Sequence, residues 1–464
     1  MPINSFENYP MSWKPDKAIL KRPFYLSVAK ALMHDISVGI LLPGTKLPPQ
    51  RELADFLDLN FTTITRAYKV CERKGFLYAI RGSGTFVSLN ATRSITISTE
   101  QFTGNCIELG FVASFEECNS LFTKQIQEVF KKRHLEQFMD YDTPTGMLHQ
   151  KTAALAWMKP FGIDTDNNHI AIVSGAQNAL VITLLALFEP GSRIAVDTYT
   201  FSNFIELAKM FHLQLVSIPG DNEGMLAEAL EVQCRLNQIS GVFLMPSCCN
   251  PTGITISPER KRMLANVIKR YALIIIEDDI QAFLIDDKEH YKPFFSLLPE
   301  QTVYICSTSK SICSGLRVAY MAFPEVFREK ILRAIFNVNV KTSSLTSEII
   351  TDLIVSGKAQ EIVSYKKTLS RGANQLFQRY FPDALTEGHP LSFYRWLPIE
   401  PVKNAVVFEE HLLAKGIRVF HSSRFLSSAV DEKQFLRVAL SSSNSLTRLE
   451  KGLQILKNSL KKFS

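Results

Sequence analysis

Between residues 170 and 440 a series of polar residues follows directly on short apolar runs. Lys310 comes after "VYICSTS", and Arg317 stands seven residues later. Asp278 follows "LIIIE", Asn250 opens Asn250-Pro251-Thr252-Gly253 after "GVFLMPS", and Ser174-Gly175-Ala176-Gln177 follows "AIV". Arg437 lies inside the apolar stretch "QFLRVALS". A lysine amine condenses with an aldehyde, and a carboxylate beside a pyridine nitrogen keeps it protonated and makes the ring an electron sink. A small-residue turn at a helix start receives an anion, because N–H groups and the helix dipole point at it. These are the needs of pyridoxal phosphate. Lys310 suits the aldehyde, Asp278 the ring nitrogen, Arg317 with residues 174–177 the phosphate, and Asn250 the phenolic oxygen.

Each feature alone has a plainer reading: a solvated lysine, a turn, a helix cap, a salt-bridge arginine. Their joint order, each after an apolar run, favours the cofactor site. The elements around them must form a sheet. From about residue 106 onward apolar strand patterns ("HIAIVSG", "SRIAVDTYTF", "LQLVSIPG", "ISGVFLMPS", "ALIIIEDD") alternate with helical ones ("AQNALVITLLALF", "NFIELAKMFHL"). Continuous Val/Ile/Leu runs between helices predict a mainly parallel sheet covered on both faces. Ligands of such sheets bind at the carboxyl ends of the strands, where these polar residues stand.

The first ninety residues follow another pattern. "FYLSVAKALMHDISVGIL" repeats apolar residues at helical spacing (Leu26, Ala29, Leu32, Ile36). Pro48 and Pro49 suit the start of a short helix, "QRELADFL". Asn60 is the expected N-cap of a third helix, "FTTITRAYKVCERKG", whose apolar side is Ile64, Ala67, Tyr68 and Cys71. Thr62, Thr63, Thr65, Arg66 and Lys69 form its other side, and Gly75 ends it. "FLYAI", "RGSG" and "TFVSL" predict a hairpin. Three helices and a hairpin predict an α+β winged helix-turn-helix, with the third helix in the major groove and the wing on the backbone or minor groove of double-stranded DNA. Residues 1–90 hold 12 Lys and Arg against 7 Asp and Glu, most of the chain's formal charge of +7, which agrees with a polyanion partner.

Both parts resemble known families. "KLPPQRELADFL", "FTTITRAYKVCERKG" and "RGSGTFV" resemble the GntR family, and the resemblance implies DNA contacts by Arg51, Thr62, Thr63, Arg66 and the wing residues Arg81, Gly82, Ser83 and Gly84. Pro49 stands where Ser is usual, and Phe61 where a polar or basic residue is usual. Residues 106–464 resemble the fold-type I aminotransferases, an α/β fold dependent on pyridoxal phosphate. The motifs are Ser307-Thr308-Ser309-Lys310 with Gly315-Leu316-Arg317, the intact Asn-Pro-Thr-Gly, and Glu277-Asp278-Asp279. The resemblance implies that Ser307 and Ser309 help to hold the cofactor and that Arg437 grips an effector carboxylate. It further implies that Tyr141 reaches a neighbouring subunit's cofactor. Phe201, or else Tyr199, stacks on the pyridine ring. One residue departs from the pattern: members carry a Tyr shortly after the Asp of Glu-Asp-Asp, where this chain has Ile280 and Gln281.

The combination is similar to the MocR/GabR-type transcriptional regulators, which join the two modules. The domains are expected at 20–89 (winged helix) and 106–464 (aminotransferase-like), with a polar linker at 90–105. The resemblance implies a homodimeric regulator, rather than an enzyme, in which a Schiff base of pyridoxal phosphate on Lys310 senses an amine or amino-acid effector, or the cofactor itself. The alternative is an active aminotransferase with an accessory DNA-binding domain. The opening residues carry no apolar run behind a basic start, and the greasiest stretches are too short to span a bilayer. The 8 Cys form no CxxC pair. A reducing cytoplasm, with no membrane partner and no metal, is the expected setting.

Overall fold

The structure is a computed structural model. It describes residues 11–37, 40–42, 44–73, 76–80, 83–87, 97, 106–131, 135–141, 143–285, 291–382, 388–427 and 433–461. Gly75, Arg81, Gly82 and all of the expected linker except Ile97 lie outside these residues.

The N-terminal part consists of helices α1 (Phe24–Ser37), α2 (Gln50–Leu57) and α3 (Phe61–Arg73), followed by the antiparallel strands β1 (Leu77–Ile80) and β2 (Gly84–Val87). One apolar cluster joins them. Val28, Leu32 and Ile36 of α1 meet Leu53 of α2, Ile64 and Cys71 of α3, and Val87 of β2, all fully buried. The inward stripe of α1 passes through Val28 and Ala29. Leu26, expected on that stripe, is instead exposed, because the first turn faces inward through Tyr25, Val28 and Ala29. The two prolines precede α2 rather than sit in its first turn. Pro49 is the N-cap and offers no side-chain acceptor, so the first amides of α2 lack the cap a serine would give. Asn60 Oδ1 does cap α3, accepting from the Thr62 amide at 2.9 Å.

In the large part a seven-stranded sheet is built from β3 (Ile170–Val173), β4 (Arg193–Asp197), β5 (Gln214–Ile218), β6 (Ile239–Leu244), β7 (Ile274–Asp278), β8 (Thr302–Ser307) and β9 (Ala319–Ala322). Their order is β3-β9-β8-β7-β6-β4-β5, and only β9 runs antiparallel to its neighbours. Both faces are covered. Along β3, Ile170 and Ile172 enter one apolar cluster while Ala171 and Val173 enter another. Side chains on a strand alternate in direction, so every strand position is buried and the run reads as continuously apolar.

Beyond the 23-residue helix Lys358–Tyr380 lies a second, three-stranded antiparallel sheet of β10 (Tyr394–Ile399), β11 (Phe420–His421) and β12 (Gln434–Ala439), with β12 in the middle. The register sets Trp396, Arg437 and Phe420 side by side across it. Among the described residues no helix is long and apolar enough to cross a membrane.

Candidate functional site

The site gathers at the carboxyl ends of the parallel strands. Asp278 is the last residue of β7 and is 2% exposed. Its Oδ1 has no hydrogen-bond partner among the described residues. Burial, and secondarily the neighbouring Asp279, pushes its carboxyl up to about 7. A buried carboxylate without a partner is costly, and a cationic N–H donor in this place would relieve it.

Lys310 sits on the short helix Thr308–Ser311 directly after β8, started by Ser307, whose Oγ accepts from the Ser309 amide at 3.2 Å. Lys310 Nζ donates to the Val112 carbonyl and lies 5.6 Å from the centre of the Phe111 ring. Burial foremost, then the positive charges of Lys366, Arg437 and Arg317, pushes its amine down to about 7, with Glu116 opposing. A large fraction of the amine is therefore unprotonated and nucleophilic at neutral pH.

The anion cradle is set by backbone geometry. Gly175, at φ 89, precedes the helix Ala176–Leu187, and a Cβ there would collide with the Arg317 guanidinium. Only glycine gives this left-handed turn without strain while letting the guanidinium lie against the helix start. Arg317 itself has φ 52, and its Nη1 donates to Ser309 Oγ at 2.9 Å. Ser174 Oγ meets Thr342 Oγ1 at 3.1 Å and accepts from Asn339 Nδ2 at 3.0 Å. Gln177 Oε1 accepts from Asn203 Nδ2 at 3.4 Å.

Arg437 is 2% exposed, and burial pushes its guanidinium down to about 10. Its Nη1 donates to Asn250 Oδ1 at 2.8 Å, its Nη2 donates to the Gly110 carbonyl, and its Nε has no partner among the described residues. Its Cζ lies 4.6 Å from the centre of the Phe425 ring and 5.9 Å from that of Phe420. An aromatic wall therefore lies against a guanidinium whose Nε donor is unused, which suits an incoming carboxylate.

Of the two candidate stacking residues, Tyr199 belongs to that wall. Its ring meets Trp396 edge-on at 5.2 Å and its hydroxyl donates to the Lys433 carbonyl at 3.0 Å. Phe201 instead precedes the helix Ser202–Met210, half-buried against the sheet cluster. Tyr141 is 89% exposed, and no hydrogen bond or ring contact joins it to this cluster among the described residues. Gln281, at the place of the missing tyrosine, is buried with its Oε1 unpartnered. In the N-terminal part, Arg51, Thr62 and Arg66 are exposed and Thr63 is half-buried, while Ser83 and Gly84 are exposed on the hairpin. Thr65 turns inward and donates to Gln50 Oε1 at 2.8 Å, so it is held between α2 and α3.

Two contributors escape the sequence patterns. Residues 108–112 close the site from a distant point in the chain: Glu108 Oε1 accepts from the Gly110 and Phe111 amides at 2.8 and 2.7 Å, which shapes the turn that offers the Gly110 and Val112 carbonyls. Nothing in "ELGFVASF" marks that role. Lys366 is fully buried beneath the Lys310 turn, and its only sequence signal is a lysine in the apolar register of its helix. A separate cavity of about 930 Å³, lined in part by Arg371, Arg395, Trp396 and Lys433, contains none of the predicted site residues.

Comparisons with known proteins agree with this geometry. The family description "Bacterial regulatory proteins, gntR family" matches residues 24–87, and "Aminotransferase class I and II" matches residues 114–454. The HTH-type transcriptional regulator YdeF of Bacillus subtilis is 37% identical over 460 residues, covering 99% of both chains. Aromatic-amino-acid aminotransferase 1 of Thermococcus litoralis is more distant, at 24% identity over 68% of this chain and 78% of its own. The fold resembles the crystal structure of Pyrococcus horikoshii kynurenine aminotransferase in complex with PMP, with a TM-score of 0.71 at 19% identity over 78% of this chain and 92% of that one. The chain thus belongs to the HTH-type transcriptional regulators of the MocR type, a GntR-type DNA-binding domain fused to an aminotransferase class I and II domain.

Proposed function

We propose that the large domain binds pyridoxal phosphate through Lys310 and that an amine or amino-acid effector, exchanging with Lys310, changes how a homodimer holds promoter DNA. The observation that carries this reading is the pair of groups at the strand ends, the buried Asp278 and the half-buried Lys310. Asp278 has an unpartnered carboxylate oxygen, and Lys310 has an amine poised near neutrality. Bound there, the cofactor would supply an aldehyde carbon for amines to attack. Asp278 would hold the proton on its ring nitrogen, and Asn250 would face the phenolic oxygen. Arg317 and Ser309, with Ser174, Gly175, Ala176, Gln177 and Ser307 around them, would hold its phosphate. Phe201 would cover its ring, and Tyr141 would serve the partner subunit. Arg437 would take an effector carboxylate. Thr62, Thr63, Arg66 and Arg51 would contact DNA together with the wing residues Arg81 to Gly84. The domains would divide at 20–89 and 106–464, joined by 90–105.

Purified protein mixed with pyridoxal phosphate should develop a visible absorption band that Lys310→Ala abolishes. Wild-type protein without that band would overturn the reading. A second reading, an active aminotransferase, is favoured by the intact Asn250, Asp278 and Arg437. Against it stands Gln281, a side chain that cannot ionise as the missing phenol does. Turnover of an amino acid with a 2-oxo acid at rates above one per second would decide for it.

A further inference from the structure

The helix Thr308–Ser311 is a single turn, and its carbonyls at the C-terminal end need partners from outside the helix. Two of them, those of Lys310 and Ile312, accept hydrogen bonds from Lys366 Nζ at 3.1 and 2.8 Å. Lys366 comes from the middle of the helix Lys358–Tyr380 and occupies its inward stripe with Ile362, Val363, Ser370 and Ala373. It is 0% exposed. No carboxylate among the described residues stands within ion-pair distance of it. Glu116 and Glu117 act on it from a greater range, the thiols of Cys118 and Cys313 also face it, and the Lys310 amine interacts with it electrostatically. A buried lysine held only by neutral carbonyls is expensive. A neutral donor such as glutamine could cap the same carbonyls without that cost, so capping alone does not account for a cation here.

We propose that Lys366 is a positioning residue for Lys310: its ammonium pins the turn from which Lys310 reaches the pocket, and its charge, added to the effect of burial, favours the unprotonated Lys310 amine that reacts with an aldehyde. The charge is present where it is needed. Burial pushes the Lys366 amine down to about 8, so it remains mostly protonated at neutral pH. A fixed positive charge beneath a second amine disfavours the second proton. Lys310 also faces Arg437, Arg317 and Glu116, but Lys366 leads among the charges that push its amine down. This inference rests on Lys310 as the reactive lysine of the proposed function.

The test reads Lys310 itself in the full-length protein. The rate at which acetic anhydride labels Lys310 Nζ, followed by mass spectrometry across pH 5–10, gives the midpoint at which the amine loses its proton. Lys366→Met and Lys366→Gln should each raise that midpoint by about one unit, a roughly fivefold loss of unprotonated amine at pH 7. Lys366→Arg should leave it near the wild-type value. Gln keeps a hydrogen-bond donor and Arg keeps the charge, so a purely structural cap would leave both at the wild-type midpoint. Midpoints for Met and Gln that coincide with wild type would overturn the proposal. If Met does not fold, the contrast between Gln and Arg decides alone. Pyridoxal phosphate added to the same proteins should bind about fivefold more weakly to the Gln variant at pH 7, with the loss closing by pH 9. Absence of the visible band in wild type would overturn the proposed function, while the labelling midpoints would still decide the coupling of the two lysines.

Discussion

The winged module and the lysine pocket are built on opposite plans. In the former, the exposed Thr62 and Arg66, the half-buried Thr63, and the Asn60 that caps them belong to one helix and its immediate start. A single apolar cluster, running from Trp13 to Val87, holds the three helices together. In the latter, Val112, Asp278, Lys310, Lys366 and Arg437 come from segments spread over more than three hundred residues: two stand at the ends of adjacent strands of the large sheet, and the others arrive from a loop, a helix and the smaller sheet. The first plan places chemistry by helix geometry. The second places it by packing, and it tolerates fully buried charges that the described residues of the first do not carry. The difference teaches where damage should spread. A change in α3 should stay in α3, whereas a change in the pocket should alter the charge balance of every group that shares it.

The largest effect should come from Asp278→Asn. Pyridoxal phosphate affinity should fall on the order of 100-fold, measured by titration of the visible band, because the carboxylate's charge no longer pairs with the ring nitrogen. Without cofactor the same variant should be more stable than wild type at pH 8. The sign follows from linkage: the folded carboxyl titrates at about 7, against about 3.9 when unfolded. Its stabilising proton is therefore fully present below about pH 4 and lost as pH rises through 7. Melting curves of the two cofactor-free proteins should differ by a few °C at pH 8 and converge toward pH 4. Equal melting at pH 8 would show that the pocket does not store this cost.

Gly175→Ala should come next. It forces alanine into a left-handed conformation and against Arg317, at roughly 1–3 kcal/mol of strain. Cofactor binding should weaken about tenfold, read from the same titration. Arg66→Ala should weaken promoter binding by about 1–3 kcal/mol in a gel-shift or fluorescence titration, with the visible band unchanged. The smallest effect belongs to Asn60→Ala. Loss of the cap on α3 should lower stability of the N-terminal part by about 1 kcal/mol, seen as a small shift in its melting. A shift of the pyridoxal phosphate titration by Arg66→Ala or Asn60→Ala in the absence of DNA would break the comparison, because the module would then be coupled to the pocket at rest.

The primary structure alone determined the winged module, the alternation of strands and helices, and the polar residues placed after each strand. These depend on short-range rules: apolar period, a cap such as Asn60, and runs like "LIIIE" that end in an acid. Periodicity misplaced the start of the α1 stripe, where Leu26 lies outside and Val28 inside, and Thr65, which turns inward to Gln50. Tertiary structure alone decided three matters. It assigned Tyr199 to the wall of Trp396 and Phe425 rather than to the face beside Phe201. It brought the turn at residues 108–112 against Lys310 and Arg437, from a stretch with no motif. And it set Lys366 beneath the Lys310 turn. The physical reason is common to all three. Each depends on which charges and carbonyls become neighbours once water is excluded, and that is a property of the packed interior rather than of any run of residues.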